Sequence, residues 1–474
     1  MNINYDSRNK DSILAYANQL KNKTLNELVK FEEDFLGYGG KGKFGQLLEK
    51  YYFGYDINSD SESDFKEVGM ELKSSPLKQL KNKEYRAKER LVLNIINYQE
   101  IVEENFENSK FWNKNACLLL IFYLHETEKL PIDYLIKLIG EWKFEDEDLE
   151  IIKADWHKIV DKIKSGKAHE LSEGDTFYLG ACTKGANASS VREQPFSNIR
   201  AKQRAFSFKQ GYVNHIIAKI SGKEKGFGKL IKSDEEIKNK TIDEIVIESF
   251  KSYYGDTVDE ISRKTGVKLD FIDSKNFYSK VTHAILNIEL NKEIEEFEKA
   301  DIQIKTIRVE PNNNIIQSVS FPAFEFTQLY KESWINCEMK DITEKKYLFI
   351  FFKRINDQYV LDKVKFWNMP LSDRNEVRKV WLQTKKIIQE GNIFKEYDKN
   401  KDGSIRLSIK GNPIRLNNLP KMSENLVCHV RPHGADSTKT FPLPVEDKIL
   451  KVKEYSKQCF WYNNTYVRDE IYLK

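Results

Sequence analysis

An internal repeat limits the possible folds of this chain more than any other feature. The segment Leu20–Val29, LKNKTLNELV, recurs as IKNKTIDEIV at Ile237–Val246. Two shorter echoes follow in the same order: Met70–Ser75 with Ile302–Ile307, and Tyr178–Ala186 with Val427–Ala435. The separation between the copies grows steadily along the chain, as expected of a duplicated domain that gained loop residues. The sequence therefore predicts two domains of one fold.

Length and patterning agree with a duplication. A chain of 474 residues is long enough for two or three domains. The Gly/Lys-rich stretch from Ser221 predicts a linker at 222–236 between domains at 1–221 and 237–474. Helical and strand patterns interleave in both halves, so we predict an α/β fold class in which each domain is a mixed sheet flanked by helices.

The hydrophobic periodicity places the main elements. The predicted strands are Val68–Ser74, Leu91–Tyr98, Ala116–Leu124, Tyr134–Phe144, Phe177–Cys182, Ile302–Arg308, Lys346–Lys353, Val360–Trp367 and Leu426–Val430. The predicted helices are Ser12–Phe35, Phe44–Tyr52, Asp148–Lys164, Gly211–Ile220 and Arg374–Glu390.

Composition excludes several classes of protein. The longest apolar run, Ala116–Leu124, is too short to cross a bilayer and is typical of a buried strand. The cysteines are odd in number and widely spaced, which favours reduced thiols in a cytoplasm over disulfides. A net charge of +4 over the whole chain does not by itself indicate a nucleic-acid binder, so any such surface must be local.

The segment DFKEVGMELK, from Asp64 to Lys73, is the main candidate for chemistry. Its pattern is D-x6-E-x-K, and alternation along a strand points Glu71 and Lys73 the same way. Two carboxylates can bind Mg²⁺, while a lysine can orient a water or balance charge on a phosphate. Alone the pattern is weak, because a charged solvent-facing strand would look the same.

The surrounding motifs make the pattern specific. KGKFGQLLE runs from Lys41 to Glu49, a basic stretch follows Ser75, YLGACTKGAN runs from Tyr178 to Asn187, and RAFSFK from Arg204 to Lys209. In this order and spacing, residues 20–220 resemble the MutH family of GATC-specific endonucleases. The duplicated chain is similar to the two-domain Sau-three-A type of type II restriction endonuclease, in which a second MutH-like half follows the catalytic one.

The resemblance implies an Mg²⁺-dependent endonuclease that cuts double-stranded DNA at GATC, 5′ of the G. It gives catalytic roles to Glu49, Asp64, Glu71 and Lys73, with Asp64 and Glu71 as metal ligands and Lys73 orienting the attacking water. The DNA-binding candidates of the first half are Lys41, Lys114, Lys184, Asn187, Arg204, Ser207 and Lys209.

The two halves differ in their chemistry. The second half has a counterpart for each of the four residues given catalytic roles. Asn287 corresponds to Glu49, Glu296 to Asp64, Gln303 to Glu71 and Lys305 to Lys73. A neutral carboxamide cannot replace a metal-binding carboxylate, so we predict a second half without catalysis that binds another site and promotes a looped complex or DNA-induced dimer. Its DNA-binding candidates are Arg431, His433 and Trp461, with Arg431 in an R-P-H turn suited to guanine.

The predicted function is thus a cytoplasmic type II restriction endonuclease of a restriction-modification system, allosteric through its second domain. Two alternatives are a GATC-specific nickase of mismatch repair and a non-catalytic GATC-binding regulator. The first is disfavoured by the duplication and the second by the complete carboxylate and lysine set. Sensitivity to adenine or cytosine methylation, the number of metals and the oligomeric state on DNA stay open.

Overall fold

The structure is a computed structural model that describes residues 4–31, 42–55, 62–80, 82–185, 189–268, 277–408, 411–432 and 438–474. The chain divides into two compact units. The first holds Met1–Ser249 with His283–Gln303, and the second holds Phe250–Thr282 with Ile304–Lys474. The 222–236 segment, predicted as a linker, belongs to the first unit, so the compact units and the sequence repeat divide the chain differently.

Both units contain helices and strands. The helices in chain order are α1 (Lys10–Asn18), α2 (Leu25–Leu28), α3 (Lys43–Leu47), α4 (Lys110–Asn115), α5 (Asp146–Lys164), α6 (Gln210–Ser221), α7 (Asp234–Asn239), α8 (Ile242–Lys251), α9 (Val258–Thr265), α10 (Phe277–Ile285), α11 (Glu295–Lys299), α12 (Phe326–Lys331), α13 (Glu338–Glu344), α14 (Leu371–Gln389) and α15 (Asn464–Tyr466).

The strands in chain order are β1 (Glu71–Gln79), β2 (Tyr85–Ala87), β3 (Leu91–Ile95), β4 (Cys117–Leu124), β5 (Ile136–Lys143), β6 (Leu179–Thr183), β7 (Val191–Gln194), β8 (Ser197–Lys202), β9 (Arg204–Phe208), β10 (Gln303–Val309), β11 (Val319–Phe324), β12 (Lys346–Ile355), β13 (Gln358–Asn368), β14 (Phe394–Tyr397), β15 (Arg415–Asn417), β16 (Cys428–Pro432), β17 (Thr440–Pro442), β18 (Glu454–Ser456) and β19 (Gln458–Tyr462). Every strand predicted from the periodicity is present, with its ends shifted by a few residues.

The first unit is built on a four-stranded mixed sheet. Its order is β2-β1-β4-β5, with β1 parallel to β4 and the other pairs antiparallel. β4 is the continuous apolar run of the sequence, and it is buried along nearly its whole length, so both faces of this central strand are covered. Glu71, the first residue of β1, is paired in register with Leu118 of β4.

Helices α1 to α3 cover one face of this sheet. They contribute to one core with β1, β4 and β5, whose buried members include Ile13, Ala17, Leu20, Phe44, Leu47, Leu72, Leu119, Ile121 and Ile136. The predicted long helix at Ser12–Phe35 is shorter in the structure, because a turn at Leu20–Lys23 separates α1 from α2. Burying this apolar layer is the main source of stability for the elements that carry the carboxylates.

A second, antiparallel sheet of the first unit has the order β3-β9-β6. β9 lies at its centre and all five of its residues are buried. The Asp155 carboxylate of α5 accepts hydrogen bonds from the N–H groups of Phe177, Tyr178 and Leu179 and so fixes the start of β6. The strands β7 and β8 form a separate hairpin that the periodicity did not predict.

The second unit has its sheets and its long helix in the same chain order as the first unit. A sheet of order β10-β12-β13 is followed along the chain by the 19-residue helix α14, and a second sheet has the order β11-β19-β16. In the first unit, β1, β4 and β5 are followed by the 19-residue helix α5 and then by the last strands of the β3-β9-β6 sheet. The element order thus follows the repeat seen in the sequence.

Two predictions from composition can be compared with the structure. All five cysteines are buried free thiols, as predicted. In the part of the chain that the structure describes, none of the helices combines the length and the hydrophobicity needed to span a bilayer.

Candidate active site

Glu71 and Lys73 occupy one face at the start of β1, as strand alternation predicts. Lys73 Nζ donates a hydrogen bond to Glu71 Oε1 and forms an ion pair with it. Glu71 is buried, at 1% exposure, whereas Lys73 keeps part of its side chain accessible. A buried carboxylate needs such a partner, because desolvation without compensation is costly.

The spacing between Asp64 and Glu71 has a direct structural cause. A single 3-10 turn at Lys66–Val68 closes on Gly69, whose φ of 61° is in the left-handed region that favours glycine. This reversal lets the Asp64 N–H donate to Glu71 Oε2 at 3.1 Å, while the Leu72 N–H donates to Asp64 Oδ2 at 3.0 Å. The six intervening residues therefore return Asp64 to the beginning of the strand that carries Glu71.

Glu49 reaches the same place from a helix. α3 continues into a wider π-helical segment at Leu48–Phe53, and Glu49 lies in its first turn. A Cβ atom at Gly45 would lie 3.2 Å from Ser74 Oγ of β1 and 3.9 Å from Glu49 Oε1. The second glycine of the KGKFGQLLE motif thus permits the close approach of this helix to β1.

Lys114 joins the cluster from the last turn of α4. Its Nζ lies 3.5 Å from Glu71 Oε1, and its side chain is only 14% exposed. The sequence left this residue open between a phosphate contact and a surface charge, and its burial beside Glu71 is inconsistent with a simple surface charge. Two lysines and three carboxylates therefore share one small region.

Burial dominates the protonation of this group. It raises the pKa of Asp64 to about 7, with the nearby Glu71 charge acting in the same direction and Lys73 opposing. Burial also raises the pKa of Glu49, and the charge of Lys73 partly offsets that shift. A divalent cation would favour the ionised form of these carboxylates and so compete with protons for them.

The donor set fits Mg²⁺, which prefers carboxylate oxygens and water. In this structure Lys73 and the Asp64 N–H engage the two oxygens of Glu71, so Lys73 takes the place of the compensating cation. A metal bound at Glu71 Oε1 would compete with Lys73 for that oxygen.

A tighter group of possible ligands lies elsewhere in the first unit. Among the described residues, the atoms of Glu145, Asp148 and His215 lie within 4.8 Å of one another. Lys299 Nζ lies 2.8 Å from Asp148 Oδ1, and Lys219 forms an ion pair with Glu145. Because two ammonium groups already compensate these carboxylates, we interpret this group as a partly buried ion-pair network.

Comparison with known proteins identifies the family. A family model described as the DNA mismatch repair enzyme MutH matches residues 53–155, which include Asp64, Glu71, Lys73 and Lys114. The type II restriction enzyme Sau3AI of Staphylococcus aureus is 37% identical over 464 residues, covering 91% of this chain and 92% of that enzyme. This chain belongs to the Sau3AI-like family of type II restriction enzymes. It is a site-specific endonuclease with a MutH-like nuclease domain in its N-terminal half.

Mismatch repair proteins match a smaller part of this Sau3AI-like enzyme. The MutH protein of Vibrio campbellii is 28% identical over 187 residues, covering 38% of this chain and 78% of that protein. The MutH protein of Shewanella woodyi is 26% identical over 225 residues, covering 45% of this chain and 92% of that protein. Each is therefore similar to less than half of the present enzyme.

The DNA-binding candidates of the first half fall in different environments. Lys184 is exposed at the end of β6. Arg204 is buried, and its guanidinium donates hydrogen bonds to the carbonyl oxygens of Ala181 and Leu171. Contact between Arg204 and DNA stays a prediction, but in this conformation the side chain joins β9 to β6.

Ser207 and Lys209 are also buried. Lys209 Nζ donates to the carbonyl oxygen of Thr176 and, at 3.4 Å, to that of Ala300. The Ser207 hydroxyl has no hydrogen-bond partner among the described residues. Lys41 and Asn187, also predicted to bind DNA, lie outside the described residues.

Arg431 and Trp461 meet on neighbouring strands of the second unit. The Arg431 guanidinium carbon lies 3.7 Å from the centre of the Trp461 ring, within the range of a cation–π contact. Arg431 is exposed at the end of β16, and Trp461 belongs to the adjacent β19. His433 lies outside the described residues.

The second-half counterparts of the residues predicted to be catalytic have other partners. Glu296 is buried in the first unit, where its carboxylate accepts hydrogen bonds from the N–H groups of Leu230 and Ile231. Lys305 belongs to the second unit, with its Nζ 5.4 Å from the centre of the Phe321 ring. Burial, and then the charge of Lys345, lower the pKa of Lys305. Asn287 has a φ of 54° and ends a turn.

Sequence reasoning missed Tyr55. Its hydroxyl is buried without a hydrogen-bond partner among the described residues. After burial, the charges of Asp64, Glu49 and Glu71 raise the pKa of Tyr55, which places the hydroxyl in the field of the carboxylate cluster. A tyrosine directly following the helix of Glu49 was the available signal.

Proposed function

We propose that this enzyme cleaves double-stranded DNA at GATC, 5′ of the G, in a reaction that depends on Mg²⁺. The observation that carries the proposal is the convergence of Glu49, Asp64, Glu71, Lys73 and Lys114 at the start of β1 in a chain of the Sau3AI-like family. The GATC site comes from the resemblance of the spaced sequence motifs to the MutH family.

Asp64 and Glu71 would hold the metal, with Glu49 positioning a second metal or the water network. Mg²⁺ bound there would supply Lewis-acid stabilisation of charge on the phosphate and on the leaving 3′ oxygen. The fit is supported by three converging carboxylates, two of them with a pKa raised by burial that a cation would lower again.

The two lysines have separable roles in this proposal. Lys73 holds Glu71 in the free protein and, once released from Oε1, can orient the water that attacks phosphorus. Lys114 approaches Glu71 from α4, at 3.5 Å, and is suited to compensate a phosphate oxygen. β1 and α4 hold the two lysines beside Glu71, where the scissile phosphate would bind.

We propose a non-catalytic, DNA-binding role for the second half, as a tandem MutH-like domain that acts as an effector. The repeated element order supports the tandem domain, and Gln303 in place of Glu71 supports the loss of catalysis. Arg431, whose guanidinium lies over the Trp461 ring, presents a planar fork suited to the N7 and O6 atoms of guanine. A palindrome cut by one catalytic half per chain then requires a dimer, a looped complex or two successive nicks.

The test is digestion of plasmids with and without GATC sites, in Mg²⁺ and in EDTA. Linear fragments that require both GATC and Mg²⁺ would support the proposal. Nicked circles would favour the repair nickase, and a gel shift without cleavage would favour a binding regulator. Plasmids methylated at adenine or at cytosine, digested in parallel, would identify the modification that protects the host. A restriction enzyme acts on DNA entering the cell, so we place it in the cytoplasm.

A further inference from the structure

Tyr55 lies between the helical segment that carries Glu49 and the turn that carries Asp64. Its N–H donates to the carbonyl oxygen of Glu49 at 3.2 Å, which closes the helical segment that carries Glu49. Its ring is 5.8 Å from that of Phe65, the neighbour of Asp64, at an interplanar angle of 82°. The backbone of Tyr55 therefore contacts the segment that carries Glu49, and its ring contacts the residue next to Asp64.

The hydroxyl of Tyr55 is an exception to the rule that buried polar groups form hydrogen bonds. It is buried, and it has no hydrogen-bond partner among the described residues. Such a group costs stability, so its presence calls for a compensating role. Because burial and the neighbouring carboxylates both raise its pKa, the hydroxyl stays protonated and remains a donor.

Tyr5 provides a natural comparison in the same aromatic cluster. Both tyrosine rings contact Phe53 and Phe65, with centroid distances of 5.9 and 6.2 Å for Tyr5 and of 6.4 and 5.8 Å for Tyr55. The Tyr5 hydroxyl, however, donates to the Phe53 carbonyl oxygen at 2.9 Å. The Tyr5 hydroxyl is thus satisfied within the fold, whereas the Tyr55 hydroxyl has no partner in the part of the chain that the structure describes.

We propose that Tyr55 is a positioning residue whose hydroxyl donates a hydrogen bond to Asp64 when DNA and metal are bound, fixing that carboxylate toward the metal. The inference rests on the proposed metal-dependent cleavage. In the free protein the Leu72 N–H already holds Asp64 Oδ2 at 3.0 Å, so one further donor would restrict the rotation of this carboxylate. The unsatisfied hydroxyl in the free protein would then be the cost of having that donor already in place.

The experiment compares Tyr55→Phe with Tyr5→Phe in the full-length enzyme. Each variant removes one oxygen and keeps the ring packing. We measure single-turnover cleavage of a GATC duplex, the Mg²⁺ concentration for half-maximal rate, Mn²⁺ binding by calorimetry and the melting temperature without metal.

For Tyr55→Phe we expect a melting temperature equal to or above that of the unmutated enzyme. Its cleavage rate and Mn²⁺ affinity should fall about tenfold to a hundredfold, the size expected for one hydrogen bond to a charged group. For Tyr5→Phe we expect a lower melting temperature, with rate and Mn²⁺ affinity within about twofold, because a hydrogen bond within the fold is lost.

Two outcomes would overturn the inference. In one, Tyr55→Phe leaves rate and Mn²⁺ affinity within twofold; in the other, it lowers the melting temperature as much as Tyr5→Phe does. Asp64→Asn, assayed in parallel, separates this failure from that of the proposed function. If Asp64→Asn is inactive while Tyr55→Phe is normal, only the role of Tyr55 is rejected; if Asp64→Asn cuts normally, the metal site is rejected as well.

Discussion

The two halves of the chain share an order of elements but differ in the side chain at the start of the corresponding strand. At the start of β1, Glu71 is buried between Lys73 and the Asp64 N–H, with Lys114 nearby. At the start of β10, the corresponding side chain is the neutral Gln303. The apolar pattern that forms the strands is independent of these few polar positions. An order of elements can therefore be kept while an acidic side chain is replaced by a neutral one.

The comparison is tested most severely at Glu71. Glu71→Gln gives the first half of the chain the side chain that the second half has at Gln303, and we expect single-turnover cleavage to fall by at least about 10³-fold, because a proposed metal ligand is lost. DNA affinity should stay within about tenfold, since phosphate contacts dominate it. The control is Glu67→Gln, at an exposed position of the turn between Asp64 and Glu71, and it should cut normally. Substantial cleavage by Glu71→Gln would mean that the two units do not differ in the way proposed.

Arg431 tests the other side of the comparison, the DNA-binding role of the second unit. In a full-length chain inactivated by Glu71→Gln, we expect Arg431→Lys to weaken one of two GATC-binding events by about 1–3 kcal/mol, because lysine keeps the charge but loses the bidentate fork. Binding of a scrambled duplex should change little. Arg354→Ala is the control, since Arg354 pairs with Asp357 at an exposed turn of the same unit.

The full-length chain is the right material for that experiment. Residues 283–303 pack in the first unit, so a fragment beginning near residue 230 would remove them from their surroundings. Gly211 shows how close this packing is, because a Cβ atom there would lie 1.9 Å from the Glu298 carbonyl oxygen. An unchanged binding curve for Arg431→Lys would reject base recognition by this side chain.

The raised pKa of Asp64 predicts that the stability of the first unit depends on pH. Its pKa of about 7 in the folded protein exceeds the unfolded value near 3.8. The native state therefore binds more protons than the unfolded state between these values, and the stability conferred by protonated Asp64 is lost as pH rises through 7. We expect the metal-free enzyme to melt at least about 3 °C lower at pH 8 than at pH 5. Asp64→Asn should reduce this decline, whereas an equal decline in the variant would contradict the assignment.

The sequence predicted the regular elements better than the side-chain environments. β4, β5, α5 and α14 follow from long periodic patterns whose burial is unambiguous. The E-x-K pair was also placed correctly, because alternation on a strand needs no tertiary information. The β7–β8 hairpin was missed, since its two short strands are largely polar.

Arg204, Ser207 and Lys209 show where such reasoning stops. Their contact with DNA stays a prediction, but the sequence did not indicate that all three are buried or that Arg204 donates to interior carbonyl oxygens. β9 lies between β3 and β6 with both of its faces covered, so alternation does not give it an exposed side. Glu296 is similar: a sequence echo of the catalytic segment proved to accept backbone hydrogen bonds. The residues of a strand do not show whether other parts of the fold bury both of its faces.

The smallest expected effect concerns Lys305, the second-unit residue at the position of Lys73. Its Nζ lies over the Phe321 ring, and burial lowers its pKa, so it has the environment of a packing residue. Lys305→Met keeps the apolar stem and should leave single-turnover cleavage within about twofold. Lys73→Met, made in parallel, should lower the rate by at least about 10²-fold, because it removes the group that holds Glu71 and that we propose orients the water. Equal losses in the two variants would show that both units carry out the reaction, and the difference between them would then lie in recognition alone.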